Sequence, residues 1–302
     1  MRRIALLSVV TFLAACGESS NTPGNGYLRV ANLAPGPTVN AGAADIDFCI
    51  APTGGTYSAP VMAAAGSPEG IVYGGTGLSI GLKQMSKYFA YGAGTYDIKV
   101  MNKAAGGSCA TPLAIITGVS LTEGGYKTIA FVGGNPTAST APAAFALVAF
   151  TDKVTVATTQ VAIRFMNAGL LPGAQLSPGP TLDIGISSAT TANVVIFPSV
   201  AYPGKSAASS TIDANGYAVL TANTLPPGNL ALNICAAGVP PPSPFCGSAN
   251  ITAGQITGGI VATAYLIGQA QLSSGALFCG DVTNGNALQQ FGNFSSCTSA
   301  LQ

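Results

Sequence analysis

The sequence predicts an all-β protein: two tandem Ig-like antiparallel β-sandwich domains behind a lipoprotein signal peptide. Three observations lead there. With 39 glycines and 20 prolines in 302 residues, the chain is punctuated by turns and poor in helix-forming stretches. Hydrophobic residues make up 48% and charged residues only 7%, so sizeable cores can be buried and a disordered polyelectrolyte is excluded. No segment sustains a 3.6-residue apolar period. Instead, each half offers about seven short runs of Val, Ile, Phe and Tyr alternating with Ala, Thr and Ser, bounded by Gly, Pro, Asn and Ser.

The N-terminus carries an address. Arg2 and Arg3 precede the apolar run Ile4 to Leu13, which is far shorter than the ~18 residues needed to span a bilayer and reads as a secretion signal. Leu13-Ala14-Ala15-Cys16 resembles the bacterial lipobox, in which the cysteine becomes the lipidated first residue of the mature protein. Several acyl chains on Cys16 would hold the protein stably at a membrane, and Gly17 in second place favours the outer membrane over retention at the inner one. The expected organisation is a signal peptide at 1–15, lipidated Cys16 with a flexible tether to 26, a first sandwich at 27–153, a linker at 154–160, a second sandwich at 161–282 and a tail at 283–302.

The halves are related by an internal repeat. Tyr27 to Gly36 recurs as Val161 to Gly173, each with an Arg and an Asn three residues apart (Arg29 and Asn32, Arg164 and Asn167) and a following Pro-Gly. In the same order, Ile46–Ile50 answers Leu182–Ile186, Gly94–Val100 answers Gly228–Ile234, Gly125–Gly133 answers Gly259–Gly268, and Phe145–Asp152 answers Ala276–Asp281. An offset of about 130 residues is domain-sized, not the period of a solenoid. In such a sandwich one face of each sheet packs on its partner, while small uncharged side chains on the other meet water.

Once Cys16 is lipidated, six cysteines are left. Outside the cytoplasm they most simply form three disulfides, with Cys49–Cys109, Cys235–Cys246 and Cys279–Cys297 as the preferred set among fifteen pairings. Cys49–Cys109 would lock two strands of the first domain. Metal binding by these thiols is disfavoured, because histidine is absent and no C-x-x-C spacing occurs.

Together these landmarks resemble the bacterial domain of unknown function 4397, in two copies covering about Tyr27 to Lys153 and Val161 to Val282. The second copy departs from the first by Gly185 in place of Cys49 and Asn229-Leu230 in place of Thr95-Tyr96. The resemblance implies an Ig-like β fold and an envelope location, and it brings no catalytic residues with it.

Several function classes are excluded by composition. Without histidine, Ser-His-Asp and Cys-His catalysis are unavailable. Once Arg2 and Arg3 are removed, nine cations face ten acids with no basic cluster, which argues against nucleic acid and polybasic membrane docking. No cofactor is expected, since Gly74-Gly75-Thr76-Gly77 and Gly124-Gly125 lack the lysine and helix of a phosphate loop. Asp47 and Asp183 hold equivalent places in apolar strands, and are expected to act as structural hydrogen-bond anchors. Arg29 and Arg164 are expected to pair with these repeated aspartates and fix strand register. Tyr88, Phe89 and Tyr91 are assigned to core packing.

The expected function is therefore a non-catalytic cell-envelope lipoprotein, a structural, adhesive or binding module whose partners are the membrane and an envelope protein or polysaccharide. One alternative is a secreted carbohydrate-active hydrolase with two acids, although only Asp45 and Asp47 lie close in sequence. The other is an outer-membrane β-barrel, which the mean hydropathy of +0.46 would suit but the lipobox, cysteines and duplication would not.

Overall fold

The computed structural model describes residues 24–34, 45–67, 69–72, 83–103, 108–134, 143–153, 155–168, 181–187, 194–221, 230–238, 247–251, 258–268, 274–281, 295 and 297–301. Cys16 and Cys246 lie outside them. The described chain is built almost wholly of β-strands, with one short helix.

In the first half, β1 (Asn25–Asn32), β3 (Phe89–Gly92), β6 (Tyr126–Gly134) and β7 (Ala143–Asp152) form a sheet in the order β3-β1-β6-β7. The strands β2 (Ile46–Pro52), β4 (Gly94–Asn102) and β5 (Ala114–Leu121) form a second sheet in the order β2-β4-β5. Helix α1 (Val61–Ala64) lies between β2 and β3 in the chain. The second half repeats the plan. Strand β8 (Gln160–Asn167) pairs with β12 (Tyr217–Thr221) and the two-residue β11 (Gly204–Lys205) on one side and with β15 (Val261–Gly268) on the other, beyond which β16 (Ser274–Gly280) and then β17 (Cys297–Leu301) follow. The remaining sheet runs β10 (Val194–Val200), β9 (Leu182–Ser187), β13 (Leu230–Ala236), β14 (Gly247–Ile251). All five landmark pairs of the repeat therefore fall on equivalent strands.

Not every pairing is antiparallel. Strand β1 runs parallel to β6, with Tyr27 opposite Tyr126 and Asn32 opposite Phe131, and β8 runs parallel to β15. Parallel strands are normally covered on both faces, and these four obey the rule. Leu28, Val30, Ile129 and Phe131 face Phe48, Ile50, Ile98 and Val100 in the first-half core. Val161, Ile163, Phe165 and Ala264 face Leu182, Ile184, Phe197 and Ile234 in the second.

The opposite faces of these two inner sheets do not meet water as expected; they pack on each other. Ala31, Leu33, Ala130, Val132 and Phe150 of the first half share a core with Met166, Ala168, Tyr265, Ile267 and Leu277 of the second. The small Ala side chains that suggested a solvated surface instead let two sheets approach closely. The segment expected as a tail is also structural. Its strand β17 pairs with β16, and just before it Ser295 donates its backbone N–H to Met85 O (2.9 Å) and its hydroxyl to Ser86 O (2.8 Å), tying the C-terminus back to the first half.

Candidate functional site

Strands β1 and β8 carry Arg29 and Arg164 on their shared inner face, where neither side chain keeps more than 1% exposure. The partners differ from those expected. Arg29 Nη2 lies 2.5 Å from Oδ1 of Asp281, which follows β16 in the other half. Reciprocally, Arg164 Nη2 lies 2.5 Å from Oδ1 of Asp152, the last residue of β7 in the first half. Each repeat thus neutralises the carboxylate of the other.

The surrounding hydrogen bonds obey the same pseudo-twofold relation. Arg29 Nε donates to Thr128 Oγ1 (2.8 Å), and that hydroxyl donates to Asp152 Oδ2 (2.6 Å). Arg164 Nε donates to Thr263 Oγ1 (3.0 Å), which donates to Asp281 Oδ2 (2.6 Å). Tyr88 and Tyr217 donate their phenol protons to Asp152 (2.9 Å) and Asp281 (2.6 Å), and their rings lie 4.5 and 4.6 Å from the guanidinium carbons of Arg29 and Arg164. Nη1 of each arginine reaches a carbonyl across the interface, Gly280 O from Arg29 (2.7 Å) and Thr151 O from Arg164 (2.9 Å).

Burial opposes the charge on both guanidiniums, but the surrounding tyrosines and aspartates outweigh it, so both stand above the ordinary arginine value. Burial pushes the Asp281 carboxyl up, and neighbouring Asp152 adds to this, while the two guanidiniums pull it back. Tyr265, whose buried hydroxyl has no hydrogen-bond partner among the described residues, is pushed up to about 12, again chiefly by burial. Two cations and two anions, with all three nitrogens of each guanidinium hydrogen-bonded, make one electrostatic unit. It joins the two sheets across their shared face.

Asp47 and Asp183 are hydrogen-bond anchors, as their repeat position suggested. Asp47 accepts the backbone N–H groups of Phe48 (2.7 Å), Met62 (2.8 Å) and Ala63 (2.9 Å), fastening α1 to β2 through donors that a helix start leaves open. Asp183 accepts those of Ser199 (2.7 Å) and Gly238 (2.9 Å). Ser199 has a φ of +52°, costly for a residue with a side chain, and it lies where the β9–β10 register shifts. Among the described residues neither aspartate contacts an arginine, because each turns towards backbone donors of its own half.

Of the aromatic trio, Phe89 and Tyr91 pack against the first core, whereas Tyr88 joins the ion cluster. The residues missed as a group are Asp152, Asp281, Thr128, Thr263 and Tyr217. The signal for them was present, since both repeat copies close on an aspartate.

Asp97 fills a bulge that the strand pattern did not reveal. Where the β4–β5 register slips between Tyr96 and Ile98, its carboxylate accepts from Gly118 N (2.9 Å), Thr53 Oγ1 (3.0 Å) and Gly54 N (3.3 Å). Gly118 has a φ of +71°, which favours glycine. The bond from Gly118, followed by those from Thr53 and Gly54, holds the Asp97 carboxyl below its ordinary value. A depressed carboxyl stabilises the fold above its unfolded pKa, about 3.9, and this contribution disappears as pH falls through the lower folded value. Asp97→Asn should therefore flatten the acid limb of a stability–pH profile and leave its slope near neutrality unchanged, as read by urea denaturation from pH 2 to 7.

Two of the three expected disulfides are present, Cys49–Cys109 and Cys279–Cys297. Cys49–Cys109 ties β2 to the loop between β4 and β5, not to a second strand. Cys235 is also disulfide-bonded, while its expected partner Cys246 lies outside the described residues. Such bonds belong to a non-cytoplasmic, extracellular type of protein. Among the described residues, no cluster of His, Cys, Asp or Glu is placed to hold a metal ion, and no helix is long and apolar enough to cross a membrane.

No family model and no curated protein matches the chain. Among solved structures it is similar to the Bacillus anthracis TIE protein, at 12% identity and a TM-score of 0.20 over 81% of this chain, which spans only 34% of that protein's length. It is also similar to a Bacteroides fragilis NCTC 9343 protein provisionally described as a cell adhesion protein, at 12% identity and a TM-score of 0.18, covering 91% of this chain and 97% of that one. Neither likeness bears on the residues of the ion cluster.

Proposed function

We propose that this protein is a non-catalytic lipoprotein of the bacterial envelope, anchored at Cys16 to the outer membrane and displaying its paired sandwiches as a structural, adhesive or binding module. The observation that carries this reading is the use made of the buried charges. Arg29, Arg164, Asp152 and Asp281 close on one another between the halves, and Asp47 is taken up by backbone donors. A pair of carboxylates poised over an open cleft, as glycosidases require, is not formed by these groups. The disulfides agree with an exported protein, and the resemblance to the domain of unknown function 4397 agrees with an envelope location. Binding then falls to loops and sheet edges, with an envelope protein or polysaccharide as partner.

Replacing Cys16 with Ala should move the protein from the membrane to the soluble fraction and abolish incorporation of a fatty-acid analogue. Unchanged labelling would refute the anchor. Affinity capture with residues 17–302 against purified envelope polysaccharides and proteins tests the binding role. Reproducible turnover of a glycan in that assay would replace it with the hydrolase reading.

A further inference from the structure

We propose that the end of the molecule bearing the N-terminal tether docks directly on the lipid surface through Tyr27, Tyr126 and Val219, with Lys127 at headgroup level. The inference rests on the anchor at Cys16 and specifies how the folded part sits once anchored.

The three side chains share one end of the fold. Tyr27 and Tyr126 are neighbours at the starts of β1 and β6, and their half-buried rings stack with centroids 4.5 Å apart at 12°. Asp152, opposite Tyr126, is joined to Gln160 at the start of β8 by the segment 153–159, which brings the start of the second half to the same end. There Val219 pairs with Ala162 of β8. At 39% exposure, it is one of two large apolar side chains left exposed among the described residues. The repeat makes these positions comparable, since Tyr27 lies two residues before Arg29 in β1 and Ala162 two residues before Arg164 in β8. Ala162 itself is buried, and the exposed apolar side chain in the second repeat is its cross-strand neighbour Val219. Lys127 follows Tyr126, and its ammonium group reaches Thr151 Oγ1 (2.8 Å) at the same end.

The length of chain between the anchor and the fold selects the occupant. Eight residue steps separate Cys16 from Gly24, so a fully extended tether reaches about 30 Å at most. This end is consequently always within that distance of the bilayer. A short tether gives an effective concentration in the millimolar range, and even a weak contact is then populated. Tyrosine suits such a contact, because its ring is apolar and its hydroxyl is at home among headgroups. A lysine beside it gains from anionic lipid.

The test is hydroxyl-radical footprinting read by mass spectrometry. The full lipidated protein in vesicles of phosphatidylethanolamine and phosphatidylglycerol is compared with the Cys16→Ala protein free in solution. Labelling of Tyr27, Tyr126 and Val219 should fall about threefold on vesicles, as for side chains entering the headgroup boundary. Ile115, 51% exposed on β5, should be labelled equally in both. The mass of the N-terminal peptide in the same sample reports acylation. An acylated protein with unchanged labelling overturns the docking alone, whereas absence of acyl chains overturns the anchor and the docking together. Protection already present in the Cys16→Ala protein that fades on dilution would assign the face to a second copy of the chain and also overturn the proposal.

Discussion

Arg29→Met should destabilise the protein by about 3–5 kcal/mol at pH 7, the usual cost of removing one partner from a buried ion pair. The methionine fills most of the volume but leaves the Asp281 carboxylate with Thr263 and Tyr217 as hydrogen-bond donors and Arg164 at 3.9 Å, and Gly280 O without its guanidinium. The cost should depend on pH with a definite sign. Burial already raises the Asp281 carboxyl in the native protein, and loss of Arg29 raises it further. A carboxyl raised on folding binds its proton more tightly in the folded state, so stability falls as pH rises from the unfolded value, about 3.9, through the folded one. The variant should therefore lie closer to wild type at pH 4 than at pH 7. Adding Asp281→Asn removes the charge that has lost its closest counter-ion and should restore part of the loss, a non-additivity expected of residues in one network. Urea denaturation followed by far-ultraviolet circular dichroism at the two pH values measures all of this. A single-variant loss under about 1 kcal/mol at pH 7, or a double variant worse than the sum of the singles, would show that the cluster does not hold the halves together.

The same variant separates two views of the chain. If the repeats were independent beads, a substitution in β1 would loosen the first half only. Because the counter-ion of Arg29 follows β16, amide exchange should accelerate in β15 and β16 as well as in β1 and β6, and the whole chain should unfold in one transition.

This reciprocity explains which features were readable from sequence. Strand identity followed from local alternation and turn residues, so all five repeat landmarks fall on equivalent strands. The anchoring roles of Asp47 and Asp183 also followed, since their bonds are made within their own half. The partners of Arg29 and Arg164 did not, because alternation says which face of a strand a residue occupies and not which sheet covers that face. Asp281 stands 252 residues from Arg29, and no local pattern spans that distance. One sign was available. In Leu28-Arg29-Val30-Ala31-Asn32-Leu33 both faces are largely apolar, which suits a strand covered on both sides. Read with the aspartate that closes each repeat, it would have placed the arginines in a shared interior. The bulge at Asp97 was hidden for a different reason, since one extra residue in β5 leaves the composition of the strand unchanged.

The Cys49–Cys109 bond should contribute about 4 kcal/mol by the loop-closure argument. Its partners are 60 residues apart, against 18 for Cys279–Cys297, for which the same argument gives about 3 kcal/mol. Cys49 is buried on β2 opposite Lys99 of β4, and Cys109 belongs to the loop after β4. Lys99 Nζ donates to Cys109 O at 3.4 Å and lies 4.1 Å from the centroid of the Tyr57 ring, both near the surface. Without the covalent link, the loop after β4 is no longer tied to β2, and the unfolded chain gains the freedom that the bond denied it. The double variant Cys49→Ala/Cys109→Ala should accordingly unfold at lower urea concentration and with a steeper dependence on urea, because its unfolded state exposes more surface. The corresponding variant at Cys279 and Cys297 should show a smaller change in slope. A loss under about 1 kcal/mol with an unchanged slope for the first pair would mean that packing around β2, not the closed loop, supplies the stability of this half.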